Sequence, residues 1–336
     1  MIQQAIRKMI DEGRALTYEE AADAMREIMT GGAGEAQVAG YLTALRLKGE
    51  TVEEIAASAD VMRQVALPCT VTSDSMDIVG TGGDRSCSFN ISTCSSFVVA
   101  AAGVKVAKHG NRSVSSKCGA ADVLTALGAN LKVDPAKAGG IMDECNFIFL
   151  HAQVYHPAMK YAAPVRSALG VRTLFNILGP LANPARANMQ LLGVYSKDMV
   201  VPLARVLSRL GTKRVIAVYG CDGLDEVSLS DKTYCCEIID GKEREYYVSA
   251  EDFGLQRADK CDIVGGEPDE NARIMQDILQ GERGARRDAV LANSAMCLYL
   301  AGKADSLKEG ALIAGQMLDS GAAYAVFNKF VQATNA

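Results

Sequence analysis

The chain has 336 residues, of which 49% are hydrophobic and 22% charged, and its formal net charge is −5. That length suits one large domain or two modest ones with a sizeable core, and the composition is ordinary for a globular enzyme. The acidic balance argues against a nucleic acid as main partner, since a phosphate backbone is met by a basic surface, but it permits a small phosphorylated ligand held by a few local cations.

Residues 1–68 read as helices alone. Ile2, Ala5, Ile6, Met9 and Ile10 fall on one helical face, and Gly13 ends the run. Thr17-x-x-Glu20 and Thr51-x-x-Glu54 are capping boxes that open a second helix, to Thr30, and a fourth, which stops before Pro68; a third spans 34–48 and ends at Gly49. Four short-looped helices form a small bundle, and its leftover apolar face is expected to pair with a second copy in a homodimer. From Met76 the pattern alternates. Strands are expected at 78–79, 104–107, 147–150, 191–195 and 214–219, with helices at 91–102, 121–127 and, after the Asp134-Pro135 cap, to about Cys145. A mostly helical insertion covers 156–184, and a helix ends at Leu210. Segments 234–239 and 244–248 flank Asp240-Gly241 as a hairpin, and the tail from Asp269 is helical. The expected class is α/β: a small α-helical domain (1–68 with the helical insertion, about 157–187) plus a larger α/β domain (69–156 and 188–336) with a mainly parallel central sheet.

Three polar stretches follow expected strands, where open α/β sheets bind ligands. In Asp77-Ile78-Val79-Gly80-Thr81-Gly82-Gly83-Asp84, three glycines let the backbone turn and present N–H groups to one anion, and the helix starting near Ile91 points its positive end the same way. The loop is neither a Walker loop nor Gly-x-Gly-x-x-Gly. Lys108-His109-Gly110-Asn111-Arg112-Ser113-Val114-Ser115-Ser116-Lys117 packs three cations and three hydroxyls into ten residues, a natural clamp for a diphosphate. Asp222-Gly223-Leu224-Asp225-Glu226 offers adjacent hard carboxylates that suit Mg²⁺ completed by phosphates. In the segment 165–181, Arg166 or Arg172 can fork onto a ligand carboxylate or serve as a structural ion pair.

Other chemistries fall away. His151 and His156 are five apart, which misses helical zinc spacing, and there is no Gly-x-Ser-x-Gly elbow. Ten scattered cysteines without Cys-x-x-Cys fit a reducing compartment. The N-terminus lacks an apolar signal core, and runs such as 290–301 are too short to span a bilayer. A cytoplasmic protein with no membrane and no nucleic-acid partner is expected.

Taken in order, Gly80-Thr81-Gly82-Gly83-Asp84, Asn90-Ile91-Ser92-Thr93, Lys108-His109-Gly110-Asn111-Arg112, Asp225-Glu226 and the segment 172–181 resemble the anthranilate phosphoribosyltransferase family, within the nucleoside phosphorylase and phosphoribosyltransferase group, over essentially the whole chain. The resemblance implies transfer of a phosphoribosyl group from 5-phosphoribosyl 1-diphosphate to the amine of anthranilate, a step of tryptophan biosynthesis, by a homodimer. It implies that Gly80, Gly83, Asp84, Ser88, Asn90, Ile91, Ser92, Thr93 and the loop Lys108, His109, Gly110, Asn111, Arg112, Ser113, Val114, Ser115 and Ser116 hold the donor. Gly80, Asn111 and Arg166 would hold anthranilate, and Ser92, Asp225 and Glu226 would bind Mg²⁺. Two positions depart from the family pattern: Ser88 replaces the usual Thr and keeps the hydroxyl, while Ala120 replaces the usual Ser and gives up one donor contact, worth about 0.5–1.5 kcal/mol. No catalytic base is identified. The rival readings are a pyrimidine nucleoside phosphorylase-like enzyme on the same fold and a non-catalytic nucleic-acid-binding paralogue; the latter calls for a basic surface that this chain lacks.

Overall fold

The computed structural model describes residues 1–113 and 117–336; the expected donor-loop residues Val114, Ser115 and Ser116 lie outside the described residues. Helices α1 (Ile2–Asp11), α2 (Tyr18–Met29), α3 (Glu35–Lys48) and α4 (Val52–Val65) form the N-terminal bundle. Both capping boxes are made: Thr17 Oγ1 accepts from Glu20 N at 3.2 Å while Glu20 Oε2 accepts from Thr17 N at 2.8 Å, and Thr51 and Glu54 exchange the same pair. Glu54 is also fully buried and takes Leu16 N at 2.9 Å and Lys48 Nζ at 2.8 Å, so one carboxylate ties three stretches of the bundle together.

The remainder alternates as β1 (Met76–Gly80), α5 (Ile91–Ala101), β2 (Val106–Gly110), α6 (Ala120–Ala126), α7 (Ala138–Cys145) and β3 (Phe147–His151). The insertion is broken into α8 (Ala152–Tyr155), α9 (Ala163–Leu169) and α10 (Phe175–Leu178), joined by 3-10 turns. Then come β4 (Met189–Gly193), α11 (Val200–Arg209), β5 (Arg214–Gly220), β6 (Thr233–Ile239) and β7 (Lys242–Val248), followed by α12 (Pro268–Leu279), α13 (Ala285–Leu300), α14 (Leu307–Asp319) and α15 (Ala322–Asn335). Among the described residues one seven-stranded sheet runs β3-β2-β1-β4-β5-β6-β7, parallel from β3 to β5 and antiparallel in the β6–β7 hairpin. The protein is thus a small helical bundle joined to a larger α/β part with a mainly parallel sheet.

One boundary differs from expectation and matters. The strand expected at 104–107 begins at Val106 and runs through Gly110, so Lys108, His109 and Gly110 are strand residues and not loop. Period-two alternation then sends Lys108 to one face of the sheet and His109 to the other.

Both faces are covered, as a parallel sheet requires. Leu191, Ile216 and Cys235 join a core with α5, α7, α13 and α15, where Phe97, Phe147 and Phe330 pack with centroids 4.5 and 4.7 Å apart. Their neighbours Leu192, Val215, Ala217 and Cys236 join a second core with α11, the N-terminal bundle and residues 162–182 of the insertion. The bundle therefore shares its core with one face of the sheet.

Candidate active site at the turn between strands β1 and β4

From β1 the chain winds outward to β2 and β3, then returns to the other flank of β1 as β4. Such a reversal opens a crevice at the carboxyl ends of the two strands. Gly80 and Gly193, the last residues of β1 and β4, lie in register there. Both sit under Asp225: a Cβ on Gly193 would lie 1.6 Å from the Asp225 carbonyl oxygen, and one on Gly80 would lie 2.5 Å from Asp225 Oδ2. These glycines are fixed by close approach. Gly82 and Gly83 are fixed instead by φ of +68° and +77°, which turn the loop.

The glycine loop is tied down on all sides. Thr81 N donates to Gly193 O at 2.9 Å, and Thr81 Oγ1 accepts from Tyr195 N at 3.0 Å. Gly82 N donates to Asp225 Oδ2 at 2.7 Å, and Asp225 N donates to Asp84 Oδ2 at 3.4 Å. Arg172 Nη2, from the insertion, donates to Gly83 O. Arg85 and Cys87 hold left-handed backbone, φ +59° and +55°, a strain that bulky side chains rarely accept outside functional turns. Several donors are left over. Gly83 N, Asp84 N, Asn90 N and Thr93 N have no acceptor among the described residues, and the buried Thr93 Oγ1 has no partner. Free N–H groups in a glycine turn and at the first turn of α5 are what a diphosphate needs.

Beneath this loop lies a knot of buried charge. Lys108 Nζ donates to Ile78 O and to Ser92 Oγ, the latter at 3.1 Å, and Ser92 N donates to Glu226 Oε1 at 3.1 Å. Burial pushes the Lys108 ammonium below its ordinary value, and Asp77, Glu226 and Asp225 oppose that. Burial raises Glu226 to about 7 despite Lys108. Asp225 is raised well above its ordinary value by burial and by the neighbouring Asp84 and Glu226. One buried cation faces several carboxyl groups whose ionisation burial and mutual repulsion hold back, so a further cation would be accepted in place of their protons. Among the described residues no three His, Cys, Asp or Glu form a ready-made metal cage. Mg²⁺ does not need one, because it takes one or two carboxylates and completes its shell with water and phosphate oxygens. Ser92, Asp225 and Glu226 thus fit it. Asp222 does not join them: its Oδ2 accepts from Ser228 Oγ at 2.9 Å and from Ser230 Oγ, and its Oδ1 accepts from Leu224 N at 3.3 Å. It shapes the loop that carries Asp225.

The other expected residues fall as follows. Asn90 spends its side chain on Cys118 O at 3.2 Å and on Asn271 Nδ2 at 3.0 Å, which leaves its N–H as its free donor, while Ile91 is buried and donates its N–H to Phe89 O at 2.7 Å. Ser88 is half-buried with its Oγ accepting from Ser86 Oγ at 3.1 Å. The expected Lys108–Lys117 clamp is corrected, since Lys108 belongs to the buried knot while Arg112 and Lys117 are exposed. Asn111 caps its own turn, its Oδ1 accepting from Arg112 N at 2.8 Å. Asp122 gathers the start of that loop: it takes Ser113 N at 2.8 Å, Gly119 N at 3.0 Å and Arg112 Nη1 at 2.8 Å. Burial pushes the Asp122 carboxyl up, and those donors more than offset it. Ala120 opens α6, 3.4 Å from where a Cβ on Gly110 would sit.

The insertion closes the site from the other side of the sheet. His109 Nδ1 meets Gly179 O at 3.0 Å, and its ring packs edge-on against His156 with centroids 5.0 Å apart. Asn183 Nδ2 donates to Asp77 Oδ2 and to Ala107 O, both at 2.8 Å. Arg166 on α9 is half-buried over the Phe175 ring at 5.3 Å, has no ion pair among the described residues, and is held below its ordinary value by burial alone. An unpaired, partly desolvated guanidinium is a receptor for a carboxylate.

Burial drives His109 to about 3 and His156 to about 4, so both are neutral in the folded protein. Below pH 6.5 the unfolded chain protonates each imidazole and the folded chain does not, so each costs about 1.4 kcal/mol per pH unit on acidification, fully felt once the pH nears its folded value. Asp77, raised to about 6 by burial, works the opposite way over its own window. A His156→Phe variant isolates one histidine: urea midpoints are expected to match at pH 7 and to favour the variant by about 2 kcal/mol at pH 5.

The comparisons agree with this architecture. The glycosyl transferase family α/β domain matches residues 72–324, and its helical bundle domain matches 3–66. An anthranilate phosphoribosyltransferase of Methanobrevibacter smithii is 54% identical over 335 residues, covering 100% of each chain. The chain belongs to the anthranilate phosphoribosyltransferase family. Among solved members, the anthranilate phosphoribosyltransferase of Thermus thermophilus is 44% identical with a TM-score of 0.94, covering 100% of this chain and 99% of that one. That of Saccharomyces cerevisiae, in complex with PRPP and Mg, is 28% identical with a TM-score of 0.92, covering 99% and 98%. Sequence reasoning missed several residues that build this family member's site: Gly193, Arg172 as a loop contact, and the Asp77–Asn183 pair. A glycine ending a second strand was the one visible signal, for Gly193.

Proposed function

We propose that this chain transfers the phosphoribosyl group of 5-phosphoribosyl 1-diphosphate to the amine of anthranilate, giving N-(5-phosphoribosyl)anthranilate and diphosphate, with Mg²⁺ as cofactor, in tryptophan biosynthesis. The observation that carries the reading is the set of unspent N–H donors of the glycine loop and α5 set beside a buried, carboxyl-rich knot. That pairing suits a metal diphosphate and little else. The yeast family member is described with PRPP and Mg and, separately, with 4-fluoroanthranilate.

In the reaction the anthranilate nitrogen bonds to ribose C1, and the C1–oxygen bond to diphosphate breaks with its electron pair leaving on the diphosphate. The amine then gives up one proton. The protein's task is to stabilise the departing charge. Lys108 holds Ser92 in place, the free amides of Gly83, Asp84, Asn90 and Thr93 receive the anion, and Arg166 aims the acceptor by its carboxylate. Ser92, Asp225 and Glu226 hold Mg²⁺, which when bound neutralises charge on the diphosphate. His109, at about 3, is too weak a base to matter, and the acceptor amine is already uncharged at neutral pH.

The test follows anthranilate fluorescence with 5-phosphoribosyl 1-diphosphate and Mg²⁺. Consumption supports the reading; no turnover, with salt-sensitive DNA binding in its place, replaces it. In the same assay Arg166→Ala is expected to raise the anthranilate KM about 10-fold or more and the donor KM little, from loss of a charge-assisted pair. Equal effects on both would remove that role.

The reading extends to the whole molecule. Residues 1–68 with about 157–187 act as the acceptor-side unit, and 69–156 with 188–336 as the donor and metal unit. Ile10 and Leu47, 64% and 83% exposed on α1 and α3, support a homodimer through the bundle, which light scattering after gel filtration tests. Among the described residues no helix is long and apolar enough to cross a membrane, and a cytoplasmic location fits the biosynthetic role.

A further inference from the structure

Arg172 stands on the loop between α9 and α10, yet its guanidinium is spent on the other half of the site. Nη2 donates to Gly83 O, and the guanidinium carbon lies 4.3 Å from the centroid of the Tyr195 ring. Among the described residues it has no carboxylate partner. Tyr195 follows β4, and its own N–H holds Thr81 Oγ1 at 3.0 Å, so the ring beneath Arg172 is anchored to the same glycine loop. A Cβ on Gly83 would lie 3.2 Å from Arg172 Nη2, which leaves the arginine close against bare backbone.

The consequence comes from peptide geometry. The Gly83–Asp84 peptide is trans and planar, so its C=O and N–H point in opposite directions. Arg172 holds the carbonyl on the insertion side. The Asp84 N–H, which has no acceptor among the described residues, therefore points away from the Arg172 guanidinium. Gly83, at φ +77°, has the freedom to flip that peptide, and the arginine removes it.

We propose that Arg172 is a positioning residue that fixes the Gly83–Asp84 peptide so that the Asp84 N–H is presented to the donor diphosphate, and that the Tyr195 ring is the platform that fixes Arg172. It touches neither substrate. It makes donor binding depend on where the insertion sits, and the insertion carries Arg166. This rests on the glycine loop being the donor site.

Three variants, Arg172→Ala, Arg172→Lys and Tyr195→Ala, are compared by steady-state kinetics and by calorimetric binding of inorganic diphosphate with Mg²⁺. Arg172→Ala is expected to raise the donor KM and the diphosphate Kd about 10-fold, with the anthranilate KM within about twofold of wild type. Arg172→Lys keeps the charge but loses the planar fork and the stacking, so it falls between. Tyr195→Ala reproduces part of the donor effect and keeps the proposal testable if Arg172→Ala fails to fold. Donor KM and diphosphate Kd within about twofold of wild type in both Arg172 variants overturn the proposal. So does a parallel rise in both KM values, which is the mark of a general structural defect. A wild-type protein that does not consume anthranilate would sink the functional reading instead, and the diphosphate titrations would still report on Arg172.

Discussion

A Gly193→Ala variant is expected to lose at least 100-fold in kcat/KM while remaining folded. The new methyl would sit 1.6 Å from the Asp225 carbonyl oxygen and 2.6 Å from its carbonyl carbon. These are backbone atoms, so no rotamer relieves the clash, and the Asp222–Glu226 loop must lift off the end of β4. Lifting it breaks the Gly82–Asp225 and Asp225–Asp84 bonds and moves Glu226 from Ser92 N. The cost exceeds that of ordinary overpacking, about 1–3 kcal/mol, and it falls at the carboxyl end of β4, where Leu192 and Val194 belong to one core and Leu224 of the displaced loop to the other. The Mg²⁺ dependence of the residual activity is expected to shift to higher concentration, and Tm to fall by several degrees. Gly140→Ala, where nothing lies within 4 Å of the added methyl, is the control and should be close to neutral. Wild-type magnesium titration in Gly193→Ala would show that the close approach of the loop does not set the site.

Lys108→Met is expected to be damaging in two separable ways. Methionine fills much of the same space but leaves Asp77, Asp225 and Glu226 without the cation that offsets them. Removing one partner of a buried charge cluster costs roughly 3–5 kcal/mol, because the remaining charges stay desolvated. Activity should fall by about 10²–10³ or more, the scale of losing a preorganised electrostatic contact. Adding Asp77→Asn separates the two effects: it removes one stranded carboxylate, so urea stability should recover in part while activity does not. Recovery of both would mean that Lys108 only balances charge.

What was legible in the sequence was local. The capping boxes are four-residue patterns and were readable as such, and so was the alternation of β1 to β5. The glycine loop and Asp225-Glu226 announced themselves because their chemistry is carried by consecutive residues. Lys108 was misplaced for the opposite reason. Lys-His-Gly after an apolar pair looks like a loop, and only carboxylates from β1 and from the segment after β5 make it bearable in the middle of a buried strand. Asp222 stood in the same acidic stretch as Asp225 and Glu226, and its commitment to Ser228 and Ser230 appears only once the turn is folded. Gly193, Arg172 and Asn183 work through contacts tens of residues away in sequence, which no local period records.

The short stretch 179–183 carries one more implication. Its carbonyls and its asparagine are met in turn by His109, Gln190, Arg63 and Asp77, from β2, β4, α4 and β1. Every one of those partners is buried, and Arg63 comes from the bundle while the other three come from the sheet. The polypeptide therefore has no clean place to be cut. Chains ending after α4 or starting at β1 would each expose half of an unsatisfied polar network along with half of a shared core. Unfolding should accordingly run as one cooperative event, and a ligand that stabilises either half should protect the other from denaturant.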